Sequence, residues 1–366
     1  MKIQFLSPNL NKKDIQEAVK VLKSGWITYG PVTEKFEEIF AGYVGSKKAV
    51  FNSSGTAALH VALLVAGVGP GDEVITTPLS YVATSNVILY VGATPVFVDV
   101  DAKMGLIDLN KIKGAITSKT KAVIPVHLYG QMVDMKKLKK ICGAKIKIIE
   151  DSAHAIESER DGIKPGQLSF ASCFSFHAAK NITSGEGGAV TVNDDKLAHE
   201  LKLLCEGGVE RTSTGRFMTL LGYKYSATTF QAAMLISQMK RINSDWKKRK
   251  ILWERYKKGL TGVAGVSFPE QVPNSRHGYN MFVIWVEPTR RDILREKLGQ
   301  AGIQTSIHFN PIHLEPHYKK SFGYKKGDFP VTEKLGFSSI TLPLHQKLTK
   351  ENQDYIVDKI KELLEV

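Results

Sequence analysis

FSFHAAKNITSGEGGAVTV, residues 174–192, sets a lysine between two runs of strand-forming residues. Small and apolar residues surround Lys180, unlike the many lysines that read as solvated surface. Gly185, Gly187 and Gly188 supply the backbone freedom to turn into the second run. The pattern predicts two strands of one sheet, with Ser175 and His177 delivered by the first and Lys180 in the connection. His177 reads as local packing.

Outward from this stretch the rhythm repeats. Short apolar runs at 49–51, 74–76, 95–98, 122–126, 146–150, 171–176 and 189–192 alternate with helical stretches, giving seven candidate strands. Most are apolar at consecutive positions, the pattern of strands covered on both faces. The predicted fold is α/β, a mainly parallel seven-stranded sheet between helix layers. Such sheets bind ligands beyond the carboxyl ends of their strands. From residue 226 a helical pattern runs to about 260, after which short strands such as 281–286 mix with helices. This predicts a large domain over residues 1–240 and a smaller C-terminal α+β domain over 241–366.

The composition agrees with a globular chain: 366 residues, 43% hydrophobic and 23% charged, enough for two domains. A net charge of +14 favours anionic partners. Cys142, Cys173 and Cys205 are odd in number and far apart, so neither a disulfide framework nor a metal site is expected. The opening MKIQFLSPNLNKKDIQ lacks the apolar core of a signal peptide. The longest apolar stretch, 57–68, is interrupted by His60 and is too short to span a bilayer. A cytoplasmic protein without a membrane partner is expected.

Three further motifs carry chemistry. Residues 52–59, NSSGTAAL, form a small polar turn opening into an apolar helix. Gly55 permits close approach of a ligand, and the first-turn N–H groups with the Thr56 hydroxyl suit an anion, although an ordinary N-cap reads the same way. The stretch lacks the ending of a P-loop and the spacing of a dinucleotide fingerprint. IIEDSAHA, 148–155, brings Glu150, Asp151 and His154 to the carboxyl edge of a strand, where a partly desolvated Asp151 needs a cationic partner or forms a structural ion pair. TPLSY, 77–81, adds the aromatic Tyr81. A pyridoxal 5'-phosphate site needs an amine of lowered pKa, a carboxylate against the pyridinium nitrogen, an anion cradle and an aromatic face. Lys180, Asp151, Gly55 with Thr56, and Tyr81 supply all four, each just after a predicted strand.

With these residues in place, the sequence resembles the DegT/StrS sugar aminotransferases, fold-type I pyridoxal-phosphate enzymes similar to aspartate aminotransferase. The resemblance covers nearly the whole chain, through SSGTAALHVAL, GVGPGDEVITTPLSYVATSN, GATPVFVDVD, VIPVHLYGQMVDM, IIEDSAHA, FSFHAAKNITSGEGG, LGYKYSATTFQAA and GIQTSIHFNPIHL. It implies that Lys180 binds the cofactor covalently, Asp151 faces the pyridine nitrogen and His154 contacts the ring hydroxyl. Tyr81 would stack on the ring, and Gly55, Thr56 and Ser175 would bind the phosphate. The resemblance also implies a homodimer with shared active sites, in which Lys224 would meet a cofactor or substrate phosphate.

The implied reaction is transamination of a nucleotide-linked keto-sugar with L-glutamate as donor. His154 and the His308 segment look more like enzymes aminating carbon 4 of a UDP-4-keto-6-deoxyhexose, with His308 touching the sugar; amination at carbon 3 of a dTDP-3-keto-6-deoxyhexose is the alternative. A related sugar 3-dehydratase carries histidine in place of the lysine, and Lys180 argues against it. A regulatory or nucleic-acid-binding role, prompted by the charge, finds no helix-turn-helix, RNP motif or aromatic-interleaved basic stripe.

Overall fold

A computed structural model describes residues 2–365, and each of the seven predicted runs forms a strand. They are β1 (Lys48–Asn52), β2 (Glu73–Thr76), β3 (Thr94–Phe97), β4 (Thr120–Val123), β5 (Lys147–Asp151), β7 (Ala171–Ser175) and β8 (Gly188–Val192); β6 (Glu159–Arg160) lies outside the sheet. The strand order is β1-β8-β7-β5-β4-β2-β3. Pairing is parallel from β7 to β3, whereas β8 runs antiparallel to both β7 and β1. The carboxyl end of β7 and the start of β8 therefore share one edge, and the Lys180 segment is suspended there.

Helices cover both faces. Helix Gly55–Val65 is buried from Ala57 through Leu63, as expected for a helix apolar all round, and packs into the cluster that holds Val74, Ile149, Cys173 and Val190. Behind β1, β7 and β8 lies an aromatic cluster: Phe36 meets Phe51 at 4.9 Å and Phe40 meets Phe174 at 5.0 Å, both edge to face. Truncating one such ring to alanine typically costs about 3–5 kcal/mol.

The helical pattern read as continuous over 226–260 is two helices, Thr229–Met239 and Ile242–Leu260. Each serves a different core, which the 3.6-residue period alone does not show. The first buries Ala232 and Leu235 against the Phe36 cluster. The second buries Trp253, Tyr256 and Leu260 against Phe282 and Ile284. At the break, Arg241 grips Asp14 with two hydrogen bonds of 2.6 and 2.7 Å.

A hairpin absent from the sequence reading, β9 (Val209–Thr212) and β10 (Gly215–Met218), projects with Phe217 and Met218 exposed. The short β11 (Ser275–Arg276) pairs with β6. The later part of the chain is built on antiparallel β12 (Phe282–Trp285) and β13 (Ser339–Leu342), flanked by helices Pro288–Gln300 and Lys350–Glu365. Its apolar cluster also takes in Ile3, whose backbone pairs with Ile303. Among the described residues no helix is long and apolar enough to cross a membrane.

Candidate active site

A cleft of about 360 Å³ opens at the carboxyl edge of the sheet. Eight of the nine residues singled out from sequence line it: Gly55, Thr56, Tyr81, Asp151, His154, Ser175, Lys180 and His308. Lys224 does not join them. It is exposed on the segment after the hairpin, where its flanking Tyr223 and Tyr225 pack on His60.

One end of the cleft is a helix N-terminus that could hold an anion. Ser54 caps helix Gly55–Val65, its Oγ accepting from Ala57 N at 3.0 Å, and its carbonyl accepts from Ala58 N at 3.0 Å. The N–H groups of Gly55 and Thr56 precede the first intrahelical bond and are left for a ligand. Packing favours glycine at position 55, because a Cβ there would stand 3.0 Å from that of Ser175, tighter than most such contacts. Gly188 is required more strictly, since its Cβ would come within 2.3 Å of the Ser54 carbonyl.

Strand alternation separates the two carboxylates that the sequence places side by side. Glu150 turns away from the cleft, where His127 Nε2 lies 2.6 Å from it and Gly166 N donates to it at 2.8 Å. Asp151 turns toward the cleft. Its Oδ1 accepts from Ala153 N at 3.2 Å and its Oδ2 from the Thr84 hydroxyl at 2.7 Å, while Ser80 Oγ lies 2.8 Å from Thr84 Oγ1.

The backbone N–H of Lys180 donates to His177 O at 2.9 Å, whereas its side-chain amine has no hydrogen bond or ion pair among the described residues. Burial pushes its amine down to about 8, against a smaller upward pull from Asp151. Its turn is held firmly. Thr183 exchanges two hydrogen bonds with Gln238, at 2.9 and 2.7 Å, and its hydroxyl donates to Phe176 O at 2.9 Å. Asn181 donates to Glu157 at 2.8 Å and to Gly278 O at 2.8 Å. Burial raises the Glu157 carboxyl to about 7.

His154 is buried and stacks on Phe309, with centroids 6.1 Å apart and planes 13° apart. Burial first, then the Lys180 and His308 charges, holds it well below the usual histidine range, so it is neutral. Its Nδ1 is buried without a partner among the described residues. Burial and Lys180 likewise push His308 down to about 3, and its Nδ1 lies 2.8 Å from Thr341 Oγ1. Tyr81 is 60% exposed at the mouth, near Phe309.

His177 is not the packing residue expected from the sequence. Its side chain is half exposed at the cleft, and its Nδ1 accepts from Ala179 N at 3.2 Å, because β7 ends at Ser175 and leaves it in the turn. Sequence reasoning also missed Ser80, Thr84, Asn181 and Phe309. Thr84 stands three residues after Tyr81 in helix Ala83–Tyr90, but a hydroxyl among small residues carries no signal by itself.

These residues fit pyridoxal phosphate. An anion cradle, an unpartnered amine of lowered pKa, a carboxylate held on both oxygens and an orphaned imidazole nitrogen surround one cleft. Known proteins agree. The chain is 36% identical over 378 residues to the UDP-4-amino-4-deoxy-L-arabinose–oxoglutarate aminotransferase of Shewanella sediminis, covering 98% of this chain and 97% of that one. It is 34% identical over 369 residues to the GDP-perosamine synthase of Caulobacter vibrioides, covering 99% and 98%. Among solved structures, the putative sugar aminotransferase Spr1654 from Streptococcus pneumoniae superposes with a TM-score of 0.96 in its PMP form, at 33% identity and covering 100% and 98% of the chains. Its PLP form gives 0.95. The family model described as the DegT/DnrJ/EryC1/StrS aminotransferase family matches residues 8–361. On fold, cleft and sequence alike, this chain belongs to that family and is a pyridoxal-phosphate-dependent aminotransferase.

Proposed function

We propose that the enzyme transfers an amino group from L-glutamate to a nucleotide-linked keto-sugar, at carbon 4 of a UDP-4-keto-6-deoxyhexose, and so supplies amino sugars for surface glycans. The observation that carries this reading is the unpartnered Lys180 amine sharing a cleft with the fixed Asp151 carboxylate. The named activity of the Shewanella relative supports the carbon, the nucleotide and the amino donor. Pyridoxal phosphate, when bound, supplies an electrophilic carbonyl and a ring that accepts electrons from a breaking C–H bond.

The chain supplies the rest. Gly55, Thr56 and Ser175 hold the phosphate, and Tyr81 covers one face of the ring. Asp151 keeps the ring nitrogen protonated, and neutral His154 donates or accepts at the ring hydroxyl. Lys180 Nζ would hold the cofactor through its aldehyde carbon and, as a free amine, would serve as the base that moves a proton from the substrate carbon. His308, which lines the same cleft, would contact a sugar hydroxyl.

Lys180 is the one Lys or Arg lining the cleft among the described residues. The charge of a nucleotide diphosphate therefore calls for cations from elsewhere, which supports a homodimer in which Lys224 completes the neighbouring site. A panel of UDP-, GDP- and dTDP-linked 4-keto and 3-keto sugars offered with glutamate tests the proposal. Release of 2-oxoglutarate with nitrogen at carbon 4 of the UDP sugar is expected. Nitrogen at carbon 3, or turnover confined to another nucleotide, overturns the assignment.

A further inference from the structure

We infer that Thr84 and Ser80 form a hydroxyl relay that fixes Asp151 for its task, making Thr84 a positioning residue of the active site. The inference rests on the reading that Asp151 pairs with the cofactor's ring nitrogen. It starts from donor arithmetic. A carboxylate only accepts, so the single hydroxyl proton of Thr84 is spent on Asp151 Oδ2 at 2.7 Å. The Thr84 oxygen is then left with lone pairs alone, and the contact of 2.8 Å to Ser80 runs from the Ser80 hydroxyl to Thr84. All three side chains are buried, Thr84 at 0%, Ser80 at 3% and Asp151 at 7% exposure, and Thr84 lies behind the cleft wall, so its hydroxyl is shielded from bulk water.

The direction of the relay matters. Two hydroxyl dipoles in series point their positive ends at the carboxylate, and Ala153 N–H holds the second oxygen. Asp151 keeps one rotamer, with its remaining lone pairs turned into the cleft. Thr84 also lies three residues beyond Tyr81. One short helix, Ala83–Tyr90, with the turn that leads into it, therefore sets both the aromatic cover and the counter-charge of the ring. That helix is itself pinned from the later part of the chain, because the buried Tyr318 hydroxyl lies 2.8 Å from both Ser85 Oγ and Asn86 Oδ1.

The test compares Thr84→Val, which keeps the shape and removes the hydroxyl, with Thr84→Ser, which keeps the hydroxyl. Cofactor affinity of the apoprotein is read by fluorescence titration, and kcat and KM are measured on the holoenzyme. Thr84→Val is expected to weaken cofactor binding about tenfold and to lower kcat by at least as much with the sugar KM unchanged. Thr84→Ser is expected to stay within about threefold of the parent on both readouts. If Thr84→Val does not fold, Ser80→Ala is read in its place, with a smaller loss on the same two readouts. Parent-like values for the variant that is read, or equal losses for Thr84→Val and Thr84→Ser, overturn the relay. Asp151→Asn in the same assays separates the two levels of the argument. If it is impaired and Thr84→Val is not, the relay alone fails; if it behaves as the parent, the ring-nitrogen pairing fails as well.

Discussion

At the scale of single residues, the proposed chemistry turns on an amine whose pKa burial lowers. The Lys180 amine, lowered to about 8, is the free base above that pH. Covalent capture of pyridoxal phosphate by the apoprotein is therefore expected to speed up as pH rises through about 8 and to level off beyond it, followed by stopped-flow absorbance. Lys180→Ala should retain the cofactor noncovalently and lose turnover, checked by dialysis and by the glutamate assay. Glu157, raised to about 7, carries the opposite sign. An unfolded glutamate ionises near 4.5 and the folded one near 7, so its contribution to stability is present at low pH and is lost as pH climbs through 7. The melting temperature of Glu157→Gln relative to the parent should accordingly increase between pH 5 and pH 8; a constant difference would show that this carboxyl does not titrate in the fold. Lys180 and Asp151 stood out in the sequence because a charge beside a predicted apolar strand needs a reason, whereas His154 was given a role only through the family resemblance. Thr84 and Asn181 did not stand out, since short polar side chains acquire meaning only from the partner that the fold brings to them.

Elements explain why the anion cradle holds its shape. Helix Gly55–Val65 begins where β8 passes under Ser54, and the contact leaves no room for a methyl group at Gly188. Gly188→Ala should push the cap away and weaken cofactor binding far more than Ser54→Ala, which removes one capping bond worth about 1 kcal/mol. Paired melting curves and cofactor titrations measure both. The seven sheet strands could be read from consecutive apolar residues because burial on both faces leaves that mark. The hairpin of β9 and β10 left none, being short and exposed, with charged residues such as Glu210 and Arg211 interrupting the apolar ones. The break at Arg241 also escaped, because helical period records a buried face and not which core that face meets.

For the whole molecule, a charge of +14 in a chain whose cleft contributes one lysine would add a long-range attraction for the proposed sugar-nucleotide substrate. The KM for that substrate should rise with ionic strength, while the KM for glutamate, which carries less charge, should rise less. Steady-state kinetics across a salt series tests this. The antiparallel course of β8 has a last implication. The turn that holds Lys180 therefore begins and ends at one edge, and it is stapled at both shoulders, by Phe176 N to Gly187 O at 2.8 Å and by the Thr183–Gln238 clamp. A turn stapled in this way does not swing out when its side chain lets go. If Lys180 carries the cofactor as proposed, attachment and release are left to rotations along the lysine's own methylene stem, and amide-exchange rates across the turn should be the same with the amine occupied or vacant.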